Sequence, residues 1–317
     1  MRALLTHKSG WWCGRWNHWS KLTYISEKMT YRGKINSNLH RCLSYIPDRL
    51  YLRLRYRQRV GNWPDLNNPK KFTEKLQWLK LHDRNEALPI LADKLQLKAF
   101  VKQRIGAQYT IPVLSWGNTA DQFTINTPPA APFVLKTNHD SGSTRVFLNF
   151  ENLDIRGIQK WLREKLSANF YLANREWEYE SISPKWFIEP LLEDDSGNSR
   201  LNDFKVHCFH GAPFFIQTIF DRDSKPKENW FDVHWKPVNI YYFSEYKAHV
   251  PKPSCLSEIL SIAKTLSADF YYVRVDFYIR KGRPLVGEMT FRPYGGFMKW
   301  NPDSADYMLG NLLNVGN

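Results

Sequence analysis

Two carboxylates fall at matching positions of a predicted β-hairpin that spans residues 273–293. If the hairpin loop is centred on Gly282 and holds an odd number of residues, Asp276 and Glu288 face each other on the same side of the strands. Directly opposed Cβ atoms of antiparallel strands lie about 4.5–5.5 Å apart, so two carboxylates at such positions repel each other. A divalent cation would relieve this repulsion, and Mg²⁺ is the natural candidate because it binds one or two carboxylates together with substrate phosphates.

The same hairpin carries two arginines that offer a different explanation. In this register Arg274 faces Thr290 on the side of the two carboxylates, and Arg292 follows on the same strand as Thr290. Guanidinium groups pair readily with carboxylates. Spacing alone therefore leaves open whether the acidic hairpin is a metal site or an ion-paired structural element.

A lysine at the end of a short apolar strand is a second candidate for chemistry. The predicted strand at residues 133–135 ends at Lys136, and a polar loop that contains Ser141 and Gly142 follows it. Loop N–H groups and a lysine ammonium can together bind phosphate oxygens. Strand-end lysines are common, so this pattern on its own is a weak indication of a phosphate site.

The elements that must position these residues follow an α+β pattern. Apolar residues at helical spacing alternate with short apolar runs, and the C-terminal half consists mainly of paired runs around glycine turns. Helices combined with antiparallel hairpins define the α+β class. The predicted helices cover residues 73–81, with Thr73 as candidate N-cap, and residues 88–104, 155–170 and 256–266; the predicted strands cover residues 133–135, 146–150 and 186–188 and the hairpins 204–220 and 271–290.

Length and composition are those of a globular protein. The chain has 317 residues, of which 43% are hydrophobic, 15% aromatic and 24% charged, and these values exclude disordered, collagen-like and coiled-coil classes. It has no run of eighteen apolar residues and no unbroken apolar segment near the N-terminus, so we expect a soluble, cytoplasmic protein. Cys13, Cys42, Cys208 and Cys255 form no CxxC pair, which predicts reduced thiols.

The positive charge is concentrated in the first third of the chain. The net charge is +14, but residues 1–110 carry 22 basic and 7 acidic residues, whereas residues 111–317 carry 23 basic and 24 acidic ones. The densest basic stretch, residues 49–59, alternates arginine with leucine and tyrosine. Such a segment suits an acidic polymer, an anionic membrane face or a nucleic-acid backbone; a solvated basic helix is the alternative.

Several common catalytic motifs are absent from the sequence. It contains no GxxxxGK[ST], GxGxxG, HExxH or GxSxG pattern, so P-loop and dinucleotide binding, zinc hydrolysis and a nucleophile elbow have no local support. Asp221 and Asp223 form a DxD triplet, which makes a glycosyltransferase that binds a metal–nucleotide-sugar an alternative function. A nucleic-acid-binding protein is a third hypothesis, but it leaves the acidic hairpin unexplained, and no nucleic-acid partner is expected.

A series of segments occurs in a characteristic order along the chain. These are NPKKFTEKLQWLKLHDRN (68–85), LADK (91–94), FVLKTNH (133–139), REWEY (175–179), DFKVHCFHG (203–211) and the hairpin with VRVDFY and GEMTFRP. In this order they resemble the TupA-like family of ATP-grasp ligases, which is linked to teichuronopeptide and capsular polysaccharide biosynthesis. The resemblance extends from about residue 47 to residue 312 and leaves the first 40 residues outside it.

The resemblance implies an ATP-grasp fold in which two α+β lobes clasp ATP. ATP and Mg²⁺ are the implied cofactors. The implied division is a basic, aromatic-rich extension over residues 1–40, an N-terminal lobe over 41–130, a small ATP-grasp lobe over 131–195, and a central lobe with the magnesium-binding hairpin over 196–317.

The resemblance also implies roles for individual residues. Asp276 and Glu288 match the magnesium ligands, and Thr290 completes the set where many ATP-grasp enzymes have asparagine. The loop after Lys136 departs from related loops, because it has a single glycine and an acidic residue, Asp140. The residues implied to bind ATP are Lys94 and Lys136 for the phosphates, Ser141 and Gly142 in the loop, Glu189 at the adenine hinge, Glu193 near the ribose, and Lys205.

The implied activity is that of an ATP-dependent carboxylate–amine ligase, which forms an amide through an acylphosphate. Such a reaction needs positioning and charge neutralisation more than a protein nucleophile. Arg274 and Arg292 are then candidates for stabilising the acylphosphate or holding the acceptor carboxylate. The family context implies a uronic acid of a cell-surface polysaccharide or its precursor as acceptor and an amino acid or amine as donor. The basic first third would face this acidic glycan or the inner face of the membrane.

Overall fold

The computed structural model describes residues 45–128, 132–149, 153–192, 203–220, 226–246 and 249–316. The predicted extension over residues 1–40, the candidate ribose ligand Glu193, and the DxD residues Asp221 and Asp223 lie outside the described residues.

The first of the α-helices in the described ranges ends before Gly61, whose left-handed backbone (φ 98°) suits the residue after a helix. The helices are α1 Asp48–Val60, α2 Phe72–His82, α3 Ala87–Ala92, α4 Lys94–Arg104, α5 Ile155–Leu166, α6 Tyr171–Asn174, α7 Leu256–Ser267 and α8 Ser304–Leu312.

The smaller of two sheets has four antiparallel strands, in the order β1-β4-β2-β3. Phe133, Leu135 and Trp186 of this sheet pack against Ile158 and Leu162 of α5. The strands predicted at residues 133–135 and 186–188 are confirmed, and the one predicted at 146–150 is shifted toward the N-terminus. The strands are β1 Ser115–Gly117, β2 Phe133–Thr137, β3 Thr144–Phe147 and β4 Trp186–Pro190.

The larger sheet joins the two predicted hairpins, because β5 pairs with β10 in antiparallel fashion. Its order is β11-β10-β5-β6-β7-β8, and a further short strand, β9, runs parallel to β7. The strands are β5 Asp203–Phe209, β6 Ala212–Phe220, β7 Lys227–Asp232, β8 Pro237–Val238, β9 Ser244–Glu245, β10 Tyr272–Arg280 and β11 Arg283–Thr290.

Helices cover both faces of the larger sheet. On one face α7 packs against Val273 and Val275 of β10. On the other face α2 and α8 pack around Tyr272. Because successive side chains of a strand point to opposite faces, Arg274 and Asp276 lie on the same face as Tyr272. The candidate site residues Arg274 and Asp276 thus lie on the face of the sheet that α2 covers.

The β10–β11 hairpin reaches the predicted register by a different route. Lys281 and Gly282, with φ of 50° and 68°, form a two-residue turn, so the assumption of an odd-numbered loop was wrong. A β-bulge then shifts the register by one residue and brings Asp276 opposite Glu288, as predicted. The extra residue is Gly287, where a Cβ atom would lie 2.8 Å from a neighbouring ring atom.

The helix predicted over residues 88–104 is two helices, α3 and α4, which are separated at Asp93. The backbone of Asp93 is extended (ψ 113°), and its carboxylate accepts hydrogen bonds from the N–H groups of Leu95 (2.8 Å) and Gln96 (3.3 Å). Asp93 is therefore the N-cap of α4. Lys94 becomes the first residue of a helix and does not lie in the middle of one.

Two further helix predictions were wrong in detail. Thr73 is not an N-cap, because α2 begins at Phe72 and the Thr73 hydroxyl donates to Asp306 Oδ2 (2.6 Å). The helix predicted over residues 155–170 ends four residues earlier, as α5. Phe170 packs its ring against Tyr179, with centroids 4.9 Å apart.

Two predictions from composition can also be compared with the structure. Cys208 and Cys255 are buried free thiols, as predicted, whereas Cys13 and Cys42 lie outside the described residues. In the described part of the chain, no helix combines the length and hydropathy needed to span a membrane.

Candidate active site

Three charged side chains meet beside the smaller sheet. Lys136 of β2 and Glu189 of β4 lie on neighbouring strands, and Lys136 Nζ is 2.6 Å from Glu189 Oε2. Lys98 of α4 approaches the other oxygen, with its Nζ 2.5 Å from Glu189 Oε1. Glu189 is 3% exposed, so two ammonium groups share one buried carboxylate. We call Lys98, Lys136 and Glu189 the lysine triad.

Burial and ion pairing act in opposite directions on the lysine triad. Burial by itself would raise the pKa of Glu189, but the two ammonium groups hold it below its usual value. The pKa of Lys98 is lowered, chiefly by burial. The lysine triad has two ammonium groups and one carboxylate, and this excess of positive charge suits it to an anionic ligand.

Lys136 of the lysine triad interacts electrostatically with residues of the β10–β11 hairpin. Burial disfavours the charged form of Lys136, yet the charges of Glu189, Tyr278 and Glu288 raise its pKa above the ordinary value. Tyr278 of β10 and Glu288 of β11 therefore lie within electrostatic range of this lysine. The fold thus brings Lys136, the predicted phosphate ligand on one sheet, within electrostatic range of Glu288, a predicted metal ligand on the other.

Lys94 contacts the polar loop between β2 and β3. Its Nζ donates to the backbone carbonyls of Thr137 (3.2 Å) and Asp140. The carboxylate of Asp140 is buried and accepts hydrogen bonds from the hydroxyls of Thr137 and Ser143. Asp140, the acidic residue that distinguishes this loop from related loops, therefore accepts hydrogen bonds from within the loop itself.

Ser141 and Gly142 form the tip of the same loop. Both are exposed, and Gly142 has φ 86°, a conformation that glycine adopts without a steric penalty. The tip is therefore open to a ligand, as the predicted phosphate-binding role requires.

Asp276 is the centre of a buried ion cluster on the larger sheet. It accepts hydrogen bonds from Arg274 Nε at 2.6 Å and Arg274 Nη2 at 2.8 Å, and Lys205 of β5 donates to Oδ2. Burial would raise the pKa of Asp276, but the charges of Arg274 and Lys205 lower it below its ordinary value. The carboxylate is therefore ionised at neutral pH and ion-paired with Arg274 and Lys205. Lys205 thus contacts a predicted metal ligand, and its contact with ATP stays a prediction.

The expected repulsion between Asp276 and Glu288 is relieved, because Arg274 lies between the two carboxylates. Arg274 Nη2 is 3.2 Å from Glu288 Oε1 and 3.2 Å from Thr290 Oγ1. The Thr290 hydroxyl in turn donates to Glu288 Oε1 at 3.1 Å. The ion-paired alternative describes Arg274 correctly, but the Glu288 side chain retains 35% exposure and can still accept a ligand.

Arg292 does not pair with the acids of the hairpin. Its Nη2 is 2.9 Å from Oδ2 of Asp83, the residue after α2, and Arg292 is 1% exposed. The ion pair attaches the end of β11 to α2. A role of Arg292 toward an acylphosphate or an acceptor carboxylate stays a prediction.

Sequence reasoning missed two residues of this region, Lys98 and Asp83. Lys98 follows Lys94 by four residues, so helical spacing could have placed both lysines on one face of α4. Asp83 is 209 residues from its partner Arg292, and no local signal indicates such a pairing.

The oxygen donors of the hairpin fit a magnesium ion that also binds phosphate. Glu288 offers a partly exposed carboxylate, and Thr290 and Asp276 lie beside it. Among the residues that the structure describes, no group of three or more His, Cys, Asp or Glu side chains could hold a metal. Magnesium would therefore depend on the two carboxylates together with phosphate oxygens, a combination that this ion commonly uses.

The family model described as TupA-like ATPgrasp matches residues 74–314. The chain belongs to this family. The match confirms the predicted family, the α+β ATP-grasp fold and the assignment to the ATP-grasp enzymes.

Solved structures of other ATP-grasp proteins are similar to the chain at low identity. D-alanine–D-alanine ligase from Bacillus anthracis is 18% identical over 64% of this chain and 57% of that chain, with a TM-score of 0.35. The corresponding ligase from Helicobacter pylori is 13% identical over 78% of this chain and 68% of that chain (TM-score 0.42). The ATP-grasp ligase PsnB, complexed with a minimal precursor, is 14% identical over 86% of this chain and 75% of that chain (TM-score 0.40).

The chain thus spans little more than half the length of the first of these ligases. No curated protein matches it. The family assignment rests on the family model, because the structural likenesses are weak.

Proposed function

We propose that the protein is an ATP-dependent carboxylate–amine ligase that joins an amino acid or amine to a uronic acid of a cell-surface polysaccharide or its precursor. The observation that carries the proposal is that Lys136 of the lysine triad lies within electrostatic range of Glu288 on the hairpin. ATP bound with Mg²⁺ would supply the phosphoryl group that activates the acceptor carboxylate. The ATP requirement favours a cytoplasmic reaction.

In this proposal the residues of the chain act through position and charge. Lys136 and Lys94 hold the phosphates, with the loop tip at Ser141 and Gly142 beside them. Glu288 and Asp276 hold magnesium. Arg274 already bridges these two carboxylates, so its guanidinium is placed to neutralise charge that develops on the transferred phosphoryl group. No nucleophilic side chain is required.

Lys136→Met is expected to weaken ATP binding by roughly 10- to 100-fold, because a charge-assisted contact contributes about 1.5–3 kcal/mol. The fold should persist, since Glu189 keeps its ion pair with Lys98. We expect a loss of similar size for Lys94→Met, which also releases the loop carbonyls. Titration calorimetry with ATP and Mg²⁺ measures both variants. Lys102→Met, an exposed position of the same helix as Lys94, is the control; unchanged ATP affinity in both test variants would contradict the proposed phosphate site.

The exposed face of α1 supports an acidic acceptor. Tyr51, Leu52 and Tyr56 are buried, whereas Arg53 and Arg57 are exposed. Arginines on an exposed helix face attract acidic polymers, and a polyuronate carries one carboxylate on each sugar. We therefore assign this face to the acidic glycan, with anionic lipid at the inner membrane face as the competing partner.

Replacing Arg53, Arg57 and Arg59 together by Gln should weaken binding to an acidic polysaccharide by roughly 100-fold at low salt, since each basic residue near an anionic surface contributes about 1 kcal/mol. ATP affinity should not change. Arg55 is left intact, because it is half-buried and donates to Gln58 (2.8 Å). Co-sedimentation with polygalacturonate and with phosphatidylglycerol vesicles separates the two partners. A loss confined to vesicles would favour lipid, and lost ATP binding would make these arginines part of the nucleotide lobe.

The glycosyltransferase remains the alternative function. Its Asp221 and Asp223 lie outside the described residues, so it stays a prediction from the sequence. Binding of UDP-sugars in place of ATP would favour it.

A further inference from the structure

A second buried polar cluster lies where α2 meets the segment between α6 and β4. Glu176 and Glu178 belong to the short helical turn around Trp177–Tyr179, and Lys80 extends from α2 toward them. Glu176 is 3% exposed and Glu178 is 1% exposed. We call Glu176 and Glu178 the buried carboxylate pair. They come from the REWEY segment, to which sequence reasoning gave no chemical role.

The hydrogen bonds of Lys80 leave the pair without a direct counter-ion. Lys80 Nζ donates to Gln77 Oε1 (3.0 Å) and to the backbone carbonyls of Asn174 (2.8 Å) and Gly295 (2.6 Å). An ammonium group has three protons to donate, and all three are used. Lys80 therefore contributes charge nearby but no hydrogen bond to either carboxylate.

Glu178 has no hydrogen-bond partner for either carboxylate oxygen within the described residues. Glu176, in contrast, accepts a hydrogen bond from Asn174 Nδ2 at 3.0 Å. Burial raises the pKa of Glu176 to about 7, against the opposing charge of Lys80. Buried charges in proteins are normally paired and hydrogen-bonded, because an unpaired one is costly. Glu178 thus lacks a donor that a ligand could supply.

The chemistry of the cluster favours an ammonium ligand over a metal ion. As noted above for the described residues, no set of three acidic, histidine or cysteine side chains could hold a metal. A positively charged amine needs fewer partners, since two carboxylates and nearby carbonyls can accept its three protons. The nearby cations Lys80 and Arg292 use their donors on other acceptors, Arg292 on Asp83, and neither donates a hydrogen bond to Glu178, so an ammonium ligand would supply the missing donor.

The buried carboxylate pair lies beside the candidate active site. The pKa of the adjacent Tyr179 is raised first by burial and then by the charges of Glu176, Glu178 and Glu288, so Glu288 lies within electrostatic range of this turn. The turn leads into β4 of the smaller sheet, whereas α2 packs on the larger sheet. The pair is therefore located between elements of the smaller sheet and elements of the larger one.

We propose that the buried carboxylate pair binds the ammonium group of the amine substrate, with Glu178 as its main partner. The assignment rests on the ligase function proposed above and names the second substrate as a primary amine that arrives protonated, such as the amino group of an amino acid or a diamine. Glu176 flanks the site, and Lys80 is held away from it by its three acceptors.

The unliganded protein offers the first test, through Glu178→Gln. This nearly isosteric change replaces a buried carboxyl group that accepts no hydrogen bond by a neutral amide, so the thermal unfolding temperature should rise by about 2 °C or more. Glu180→Gln, at an exposed position next to the same turn, should leave it unchanged. A fall in the unfolding temperature of Glu178→Gln would show that the carboxylate stabilises the fold, and would overturn the proposal.

Ligand-dependent stabilisation is the second test. Glycinamide, L-alanine and 1,3-diaminopropane are added at constant ionic strength, with acetamide as neutral control. At least one amine should raise the unfolding temperature of the wild-type protein and of Glu180→Gln, and this shift should disappear in Glu178→Gln. Equal shifts in wild type and Glu178→Gln, or no shift with any amine, would overturn the ammonium site. The readout needs no turnover, so a failure of amide formation would count against the ligase proposal separately.

Discussion

Glu288→Gln is expected to lower ATP-dependent turnover by on the order of 100-fold or more, the loss typical of removing one preorganised electrostatic contact. The fold should remain intact, because the Glu288 side chain is 35% exposed and Arg274 keeps both of its hydrogen bonds to Asp276. ADP formation measures turnover, and thermal unfolding measures the fold.

The matched control for this change is Glu245→Gln, which neutralises an exposed carboxylate on β9 of the same sheet. It should leave ADP formation at the wild-type rate. Wild-type turnover in Glu288→Gln would contradict the assignment of Glu288 to magnesium.

Asp276→Ala should destabilise the protein by about 3–5 kcal/mol, because removing one partner of a buried ion pair leaves the other charge uncompensated. Here two cations, Arg274 and Lys205, would lose their shared carboxylate. This differs from the expectation for two repelling carboxylates, for which removing one would relieve strain. Urea unfolding monitored by tryptophan fluorescence measures the change, and Asp276→Asn should lose less because its amide oxygen can still accept hydrogen bonds.

The same ion cluster predicts a pH dependence. The pKa of Asp276 is lower in the folded protein than its ordinary value, so its contribution to stability is present above the unfolded pKa of about 3.9 and is lost as the pH falls through the folded value. The stability difference between wild type and Asp276→Ala should therefore shrink in acid. A difference of zero at neutral pH would show that the cluster does not stabilise the fold.

Local patterns sufficed to predict the hairpin and the residues opposed across it. Alternating apolar residues on both sides of Gly282 indicate two strands, and the pairing of Asp276 with Glu288 follows once a turn is placed there. The turn length assumed in this prediction was nevertheless wrong, and Gly287 forms a bulge that a count of residues does not reveal. Two departures, an even-numbered turn and an extra residue, compensated each other.

Contacts between distant segments could not be predicted in the same way. The pairing of Lys98 with Glu189 depends on how α4 docks on the smaller sheet, and that of Arg292 with Asp83 on how β11 ends beside α2. Arg274 illustrates the limit: spacing placed it near both acids, but only its side-chain geometry shows that it bridges them. The local sequence predicts which residues face each other along one hairpin. Which residues of distant elements meet in the candidate active site depends on tertiary packing.

The central claim is that the protein consumes ATP to join a carboxylate to an amine. The most direct measurement incubates it with ATP, Mg²⁺ and a panel of uronic acids crossed with amino acids and diamines, and follows ADP, phosphate and amide product by mass spectrometry. We expect equal amounts of the three products, and only when an acid and an amine are both present. Transfer of a sugar from a UDP-sugar to a uronic acid without ATP consumption would contradict the account.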